Sequence, residues 1–363
     1  GYTTSAGYPN SRKVNLANTA DALAVRSNAV STLANQDVNY IRNSVKATVD
    51  AYDGTVTLYQ WDEADPVLAT WSKAFPGSVK PKSEISPDLL SHIRYPEDMF
   101  KVQRDILSAY HVKTADAFYG GQDFWRVPLD PSSFGSNSGT QPPYYLTMQI
   151  PGQKKPTFSL YTPFVPRGGR ENLTALAVVN SDARDGYGKI TVLQLPRSTN
   201  IAGPSQVSSN FEAKPDVATS LSLLRQGGAD VVLGNLLTLP VGNGLLYVQP
   251  VYVRATGNTA AYPLLQKVLV SFGDQIGFSE TLQGALDQVF GGSAGTTVTN
   301  NQSDTPTKDG TGSSQAIKSA IASLQSAYAD LEAAQKRLDG AAEDKARARV
   351  KAAIAALISA QNR

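Results

Sequence analysis

The sequence predicts an α+β fold with a mixed, mainly antiparallel sheet core, peripheral helices and a C-terminal two-helix hairpin. One observation is that residues 143–272 consist mostly of short runs rich in Val, Leu and Tyr, a composition typical of strands. A second is that helical segments flank and interrupt these runs without regular alternation. Regular alternation would favour a doubly wound parallel sheet, so the pattern favours the α+β class.

Residues 1–142 are predicted to be a helix-rich N-terminal part that carries one β-hairpin at 45–61. Residues 12–43 have the pattern of a helical or irregular segment with a polar surface. Apolar and polar residues then alternate on both sides of Asp53-Gly54, and glycine supplies the positive φ that a type I′ turn requires. Three helices are predicted next: Val67–Phe75, a second that begins at Ser86-Pro87-Asp88, and a third from Pro96 to about Tyr110.

Residues 143–290 are predicted to be the β-rich part of the same core. Its predicted strands are Tyr144–Ile150, Thr157–Thr162, Leu173–Asn180, Lys189–Leu195 and Gln266–Phe272, with helices at about Asp216–Arg225 and at Thr281–Phe290. Val231–Val253 has no charged residue and is long enough to cross a bilayer. Pro240, Pro250 and the central Gly-Asn-Gly turn would break such a helix, so a buried β-hairpin is predicted instead.

A flexible linker is predicted at 291–314, because this segment is rich in Gly, Thr, Ser and Asn and has almost no large apolar residue. Residues 315–363 follow it as a helical hairpin tail. Apolar residues recur there at helical spacing on both sides of Asp339-Gly340, which indicates two helices joined by a short turn.

Composition excludes several classes of chemistry. The net charge is +2 and the basic residues are dispersed, which argues against a nucleic-acid partner. The chain has no cysteine, so disulfides, thiol nucleophiles and thiolate metal sites are absent, and it has only two histidines, His92 and His111. We interpret His111 as a cation at the end of a helix. No hydrolase, metalloprotease or phosphate-loop motif occurs, and no cofactor is predicted.

The most informative segment is a dense aromatic, glycine and proline neighbourhood at 118–126 and 141–145. The candidate ligand-binding residues in it are Tyr119, Gln122, Asp123, Trp125, Arg126, Tyr144 and Tyr145. The aromatic rings could form a stacking surface with hydrogen-bonding groups around it, which suits sugars or extended peptides. The alternative is a loop whose aromatic residues pack into the core.

Two weaker candidates lie further along the chain. Arg167 and Arg170 could grip an anion with two guanidinium groups, or could lie in an exposed turn. Asp182 and Asp185 are a weak calcium candidate, because calcium requires six to eight oxygen ligands and an arginine lies between these two acids. An ordinary hairpin turn is the favoured interpretation of that loop.

The chain resembles uncharacterised protein family 0182, the actinobacterial multi-pass integral membrane proteins, in its large extracytoplasmic soluble domain. The resembling segments are Gly1-Tyr2-Thr3-Thr4, 39–54, Tyr95-Pro96-Glu97-Asp98-Met99-Phe100-Lys101, 118–128, 141–153, 164–172, 234–250 and 262–272. The resemblance implies transmembrane helices before Gly1 and a location at the cell membrane, with this domain outside the cytoplasm. The chain is therefore expected to be a fragment, and the family offers no catalytic motif.

Three functions fit these observations. We predict a non-catalytic extracytoplasmic domain that binds or scaffolds cell-envelope components. Its expected partners are its own transmembrane region, other cell-envelope proteins or oligomer copies. One alternative is a substrate-binding domain that serves a transport pathway, and another is an enzyme that acts on envelope polymers through carboxylates.

Overall fold

The computed structural model of the 363-residue chain describes residues 1–20, 35–132, 139–196, 198, 200–226, 229–242, 244–255 and 262–291, and in the tail 323, 326, 330, 342 and 345–352. Two compact units divide the chain, Gly1–Thr297 and Val298–Arg363. Helices and several sheets make up the first unit, and every pairing between its described strands is antiparallel. The predicted α+β class is therefore confirmed.

The N-terminal segment contains two strand pairs that the sequence analysis did not predict. Its elements are β1 (Tyr2–Ser5), β2 (Val14–Asn15), α1 (Leu16–Ala20), β3 (Asp37–Val38) and β4 (Tyr40–Asn43). β1 pairs with β4, and β2 pairs with β3. The predicted helical or irregular segment at 12–43 is confirmed for α1 and was wrong for β2, β3 and β4, because these short strands pair with partners far away in the sequence, and residues 21–34 lie outside the described residues.

The hairpin predicted around Asp53-Gly54 is confirmed. β5 (Val45–Val49) and β6 (Val56–Gln60) pair in register from Val45↔Gln60 to Val49↔Val56. Gly54 has a φ of +76°, the left-handed conformation that the turn requires.

Four α-helices and one short 3₁₀ helix (Lys82–Glu84) follow, and the first three α-helices were predicted. The α-helices are α2 (Pro66–Ala74), α3 (Pro87–His92), α4 (Glu97–Tyr110) and α5 (Ala115–Gly120). Proline occupies the first turn of α2 and α3, and α4 begins with two acidic residues, so the local signals set the starts of all three. α4 buries Phe100 and Val102, which fixes it against the rest of the unit.

A five-stranded sheet forms the centre of the unit. Its strands are β7 (Trp125–Arg126), β8 (Tyr144–Met148), β9 (Thr157–Pro166), β10 (Ala175–Asn180) and β11 (Ile190–Gln194). The order is β11-β10-β9-β7, and β8 also pairs with β9. β9 and β10 are almost fully buried because both faces of the sheet are covered by apolar side chains.

A second five-stranded sheet follows two more helices. The elements are α6 (Pro204–Ala213), α7 (Pro215–Arg225), β12 (Ala229–Leu233), β13 (Leu237–Val241), β14 (Gly244–Ala255), β15 (Leu264–Phe272), β16 (Gln275–Ser279) and α8 (Leu282–Phe290). The predicted hairpin at Val231–Val253 is correct for β13 and β14. The prediction of a single first strand was wrong, because the chain breaks at Gly234 into β12 and β13. Both of these strands pair with β14.

The two five-stranded sheets share one apolar core, joined by a buried polar contact. Leu176 and Phe211 belong to that core together with Leu236 and Leu269. Gln141, which is 1% exposed, donates from Nε2 to the Leu236 carbonyl oxygen at 2.8 Å. Across the described residues, none of the helices has both the length and the apolar character needed to cross a membrane.

The predicted linker lies outside the described residues, apart from Gly291. In the second unit, the described tail residues are helical, and Arg349 pairs with Asp330 across the predicted turn. The division into two parts of one core, a linker and a hairpin tail stays a prediction.

Candidate functional site

A cleft of about 720 Å³ lies where α4, α5 and the connections that follow β9 and β11 meet. Four segments supply its lining residues: 111–117, 122–125, 166–174 and 194–200. Its volume falls within the range of roughly 300–1,000 Å³ that is usual for small-molecule sites.

Buried Trp125 and partly buried His111 form the floor of the cleft. Trp125 is 5% exposed and packs against Phe164 with ring centroids 5.4 Å apart. The His111 ring stacks on Trp125 at 3.4 Å. Nδ1 of His111 lies 2.9 Å from the Leu107 carbonyl oxygen, and Nε2 lies 3.0 Å from that of Asp123. These two contacts fix the orientation of the ring at the end of α4.

Local turn chemistry positions the residues around α5. Thr114 caps this helix by accepting a hydrogen bond from the Ala117 amide at 3.3 Å. The helix ends at Gly121, whose φ of +60° is the usual left-handed helix C-cap. The chain therefore turns directly after α5 and brings Gln122 and Asp123 to the cleft.

Cross-links between segments hold the cleft walls together. The side chain of Asn172 donates to that of Asn200, so the connections after β9 and β11 are joined. Arg126 forms an ion pair with Glu171 and donates to the Arg170 carbonyl oxygen at 3.4 Å. These contacts set the shape of the cleft before any ligand binds.

The cleft walls carry two exposed cations, Lys113 and Arg170. Among the described residues, neither side chain forms an ion pair with a carboxylate. Asp123 is the single acidic residue among the described lining residues. Uncharged hydrogen-bonding side chains supply most of the remaining polar lining: Thr114, Gln122, Asn172, Thr174, Gln194, Ser198 and Asn200.

The structure brings only part of the predicted aromatic neighbourhood into the cleft. Gln122, Asp123 and Trp125 line it, and Arg126 lies behind one wall through its pair with Glu171. Tyr119 is 87% exposed and is not among the lining residues.

Tyr144 and Tyr145 lie elsewhere, because adjacent residues of β8 point to opposite faces of the sheet. Tyr144 packs against Tyr161 in the core between the two five-stranded sheets. Tyr145 stacks on Phe158 at 5.6 Å and donates to the Tyr95 carbonyl oxygen. The predicted rings therefore do not form one stacking surface.

The two arginines of the predicted anion-binding site also lie apart. Arg170 lines the cleft, whereas the Arg167 guanidinium lies 5.8 Å from the centroid of the Phe124 ring and is not among the lining residues. Gly168 and Gly169 between them both have positive φ, so a tight turn directs the two side chains differently.

The weak calcium candidate is a turn between β10 and β11 whose acids already have basic partners. Asp182 pairs with Arg184 at 3.1 Å, which lowers the pKa of Asp182, and Asp185 pairs with Lys155 at 3.7 Å. The described residues contain no group of three or more His, Cys, Asp or Glu side chains arranged to hold a metal ion.

The cleft residues that come from distant segments were not predicted from the sequence. Lys113 and Thr114 follow α4, and Asn172, Gln194, Ser198 and Asn200 come from the two connections beyond the sheet. The polar run at 196–200 was the one local signal for them, but nothing in it indicates contact with α5.

A second depression of about 510 Å³, the aromatic hollow, lies beside Trp61, Tyr95 and Tyr187. Three of its four charged lining residues have partners within the protein. Arg42 pairs with Asp62 at 2.7 Å, and Lys82 lies 4.2 Å from the centroid of the Trp61 ring.

Lys46 is a partly buried lysine beside the hollow. Its Nζ donates to the Tyr187 hydroxyl at 3.0 Å and lies 5.2 Å from the centroid of the Trp61 ring. Burial lowers the pKa of Lys46 to about 8, since removal from water disfavours the charged amine.

The chain near the hollow is fixed by Asp65, which is fully buried. Its carboxylate accepts hydrogen bonds from Thr3 at 2.6 Å, Ser44 at 2.6 Å and Tyr40 at 2.8 Å, and it also caps α2. Burial alone would raise the pKa of Asp65, but the hydrogen bonds outweigh it and lower the pKa to about 2.

Comparison with known proteins identifies one family. Residues 1–224 match the Uncharacterised protein family (UPF0182). A UPF0182 protein of Leifsonia xyli subsp. xyli is 48% identical over 409 residues, covering 100% of this chain and 41% of the relative. A UPF0182 protein of Thermobifida fusca is 57% identical over 293 residues, covering 80% of this chain and 29% of the relative.

A third relative, a UPF0182 protein of Bifidobacterium longum, is 53% identical over 308 residues, covering 81% of this chain and 29% of the relative. The chain thus spans between 29% and 41% of the length of these three relatives. No solved structure matches the chain.

Proposed function

The chain belongs to the Uncharacterised protein family (UPF0182), and from that membership we propose that it is a non-catalytic binding domain of a multi-pass membrane protein, on the extracytoplasmic side of the cell membrane. Its partners are its own transmembrane region and components of the cell envelope. The resemblance described above supports the location. The relatives are more than twice as long as this chain, so they have room for a membrane region.

The cleft is the observation that carries the binding function. Its walls are joined by contacts within the protein, while Lys113 and Arg170 on those walls have no carboxylate partner among the described residues. Solvated cations beside a preformed concave surface provide interactions that a ligand can use at little cost in ordering the protein.

The polar groups of the cleft floor support binding rather than catalysis. A general base must have a nitrogen or oxygen directed at the proton that it removes. Both nitrogens of His111 face backbone carbonyl oxygens, and its ring face covers Trp125. Glycoside hydrolysis usually needs two carboxyl groups, and Asp123 is the one acid among the described lining residues.

Because the chain has no cysteine, its location can be tested with single introduced thiols. Tyr52 and Tyr119 are 101% and 87% exposed, so Tyr52→Cys and Tyr119→Cys report from two separate places. In the full-length protein, both are expected to react with a membrane-impermeant maleimide on intact cells. Labelling that appears only after lysis would contradict the extracytoplasmic location. The unsubstituted full-length protein gives the background.

Binding is tested with washed cell-envelope sediment from an actinobacterium that encodes a relative. The 363-residue chain is expected to co-sediment, and Lys113→Ala with Arg170→Ala is expected to reduce the bound fraction. The matched control is Lys189→Ala with Arg225→Ala, which removes two exposed cations that are not among the cleft-lining residues. Equal losses in the two double variants would reject the cleft as the binding site.

A further inference from the structure

We propose that the cleft binds an acidic saccharide, a hydroxyl-rich ligand that carries a carboxylate or phosphate group. This inference rests on the proposed binding function and names the ligand class for the same site.

The anionic group is assigned from the charges on the walls. Lys113 belongs to the connection between α4 and α5, and Arg170 to the connection between β9 and β10, so cations face the cleft from two different segments. An anion in the cleft that reaches either cation would receive charge-assisted hydrogen bonds, which are about twice as strong as neutral ones. The described lining residues include these two cations and one acid, Asp123, so the basic residues outnumber the acidic ones.

The hydroxyl groups are assigned from the uncharged lining. Gln122, Gln194 and Asn200 are exposed side-chain amides, and Ser198 adds an exposed hydroxyl. Each amide offers both donors and an acceptor, and a sugar hydroxyl also donates and accepts. Such a lining can hydrogen-bond several hydroxyl groups of one ligand at once.

The aromatic residues argue against a peptide that would insert apolar side chains. Trp125 is buried beneath His111, and Phe124 is contacted by Phe118 at 5.4 Å and by Arg167 at 5.8 Å. The large rings near the cleft are thus used in packing contacts within the protein. A hydroxyl-rich ligand needs no empty apolar pocket.

Calorimetric titration of the 363-residue chain with four probes tests the inference. Tri-galacturonate carries both hydroxyls and carboxylates, galactotriose lacks the charge, tri-glutamate carries the charge on a peptide, and mannose 6-phosphate replaces carboxylate by phosphate. We expect one or both acidic sugars to bind at least about tenfold more tightly than galactotriose and tri-glutamate. The stronger acidic sugar identifies the anion.

The variants locate the binding site. Lys113→Ala and Arg170→Ala should each weaken binding of the acidic sugar about tenfold or more. Lys189→Ala and Arg225→Ala should leave it unchanged, since these cations are not among the lining residues.

Three results would overturn the inference. If tri-glutamate bound as tightly as the acidic sugars, the cleft would be a general anion site. If galactotriose bound as tightly as the acidic sugars, the charge of the ligand would not contribute to binding. If no probe binds while envelope sediment is still captured through the cleft, the ligand class is wrong but the proposed function stands. Failure of the sediment experiment itself counts against the proposed function.

Discussion

The cleft and the aromatic hollow lie in the same compact unit and differ in whether their cations have partners within the protein. In the hollow, Arg42 pairs with Asp62, and Lys82 lies against the Trp61 ring. In the cleft, Lys113 and Arg170 have no such partner among the described residues. Charges used within the protein contribute to its stability, whereas cations without partners remain available to a ligand. Substitutions at the two sites should therefore affect different properties.

The largest effect is expected from Trp125→Ala, which removes a buried ring from the cleft floor. Truncation of a buried aromatic side chain costs about 3–5 kcal/mol of stability. The free energy of unfolding in guanidinium chloride measures the loss. Tyr119→Ala is the matched control and should change stability by less than about 0.5 kcal/mol, because Tyr119 is 87% exposed. Similar values for both variants would mean that Trp125 is not a packing residue.

Asp65→Ala should destabilise the protein by about 3 kcal/mol, because three hydroxyl groups and the start of α2 lose their acceptor. Unfolding measurements give the value, and the exposed Asp88→Ala serves as a control with an expected change below about 1 kcal/mol. Ligand binding to the cleft by the folded fraction should not change. If the folded variant bound ligand more weakly, Asp65 would affect the cleft as well as stability, which would contradict the proposed independence of the two regions.

The depressed pKa of Asp65 also predicts a dependence of stability on pH. The folded pKa of about 2 lies below the ordinary value of 3.8, so the ionised carboxylate stabilises the folded state above about pH 4. This contribution should decrease as the pH falls from about 4 toward 2. The measurement is the stability difference between the wild type and Asp65→Asn at several pH values. A difference that stays constant through this range would contradict the assignment.

Lys46 predicts a second rise of stability with pH, in alkaline solution, although here the charged form is the one that destabilises the fold. Its folded pKa of about 8 lies below the ordinary value of 10.5, so the charged amine destabilises the folded state below about pH 8. As the pH rises from about 8 to 10.5, the wild type should gain about 3 kcal/mol relative to Lys46→Met. Parallel unfolding curves for the two proteins over this range would show that burial does not disfavour the charge.

The smallest effect on stability is expected in the cleft. Arg170→Ala should change the free energy of unfolding by less than about 0.5 kcal/mol, because this exposed guanidinium has no carboxylate partner among the described residues. Thermal unfolding of the variant beside Arg225→Ala checks this. A loss of more than about 1 kcal/mol would mean that Arg170 has a structural role, as residues of the hollow do.

Local sequence signals were sufficient for the elements whose ends are marked by turn or cap residues. Asp53-Gly54 identified the β5–β6 hairpin, and Asp65-Pro66 identified the start of α2. They were insufficient where pairing joins distant segments. β1 pairs with β4 across almost 40 residues, and this pairing leaves no periodic pattern in either short strand.

The candidate site was predictable in part for the same reason. Gln122, Asp123 and Trp125 were identified because they lie in one unusual segment. Tyr144 and Tyr145 were grouped with them because the sequence shows two adjacent rings, whereas the alternation of a strand separates them. The contact between Asn172 and Asn200 depends on how two connections meet, which no local pattern records.

The most direct test of this account is calorimetric titration of tri-galacturonate and of mannose 6-phosphate into three proteins. These are the wild type, the double variant Lys113→Ala with Arg170→Ala, and the double variant Lys189→Ala with Arg225→Ala. We predict that the wild type and the second double variant bind an acidic sugar equally. The first should bind it on the order of a hundredfold more weakly while staying equally stable. Equal binding by all three proteins, or no binding by the wild type, would contradict the claim that the cleft is an acidic-saccharide site.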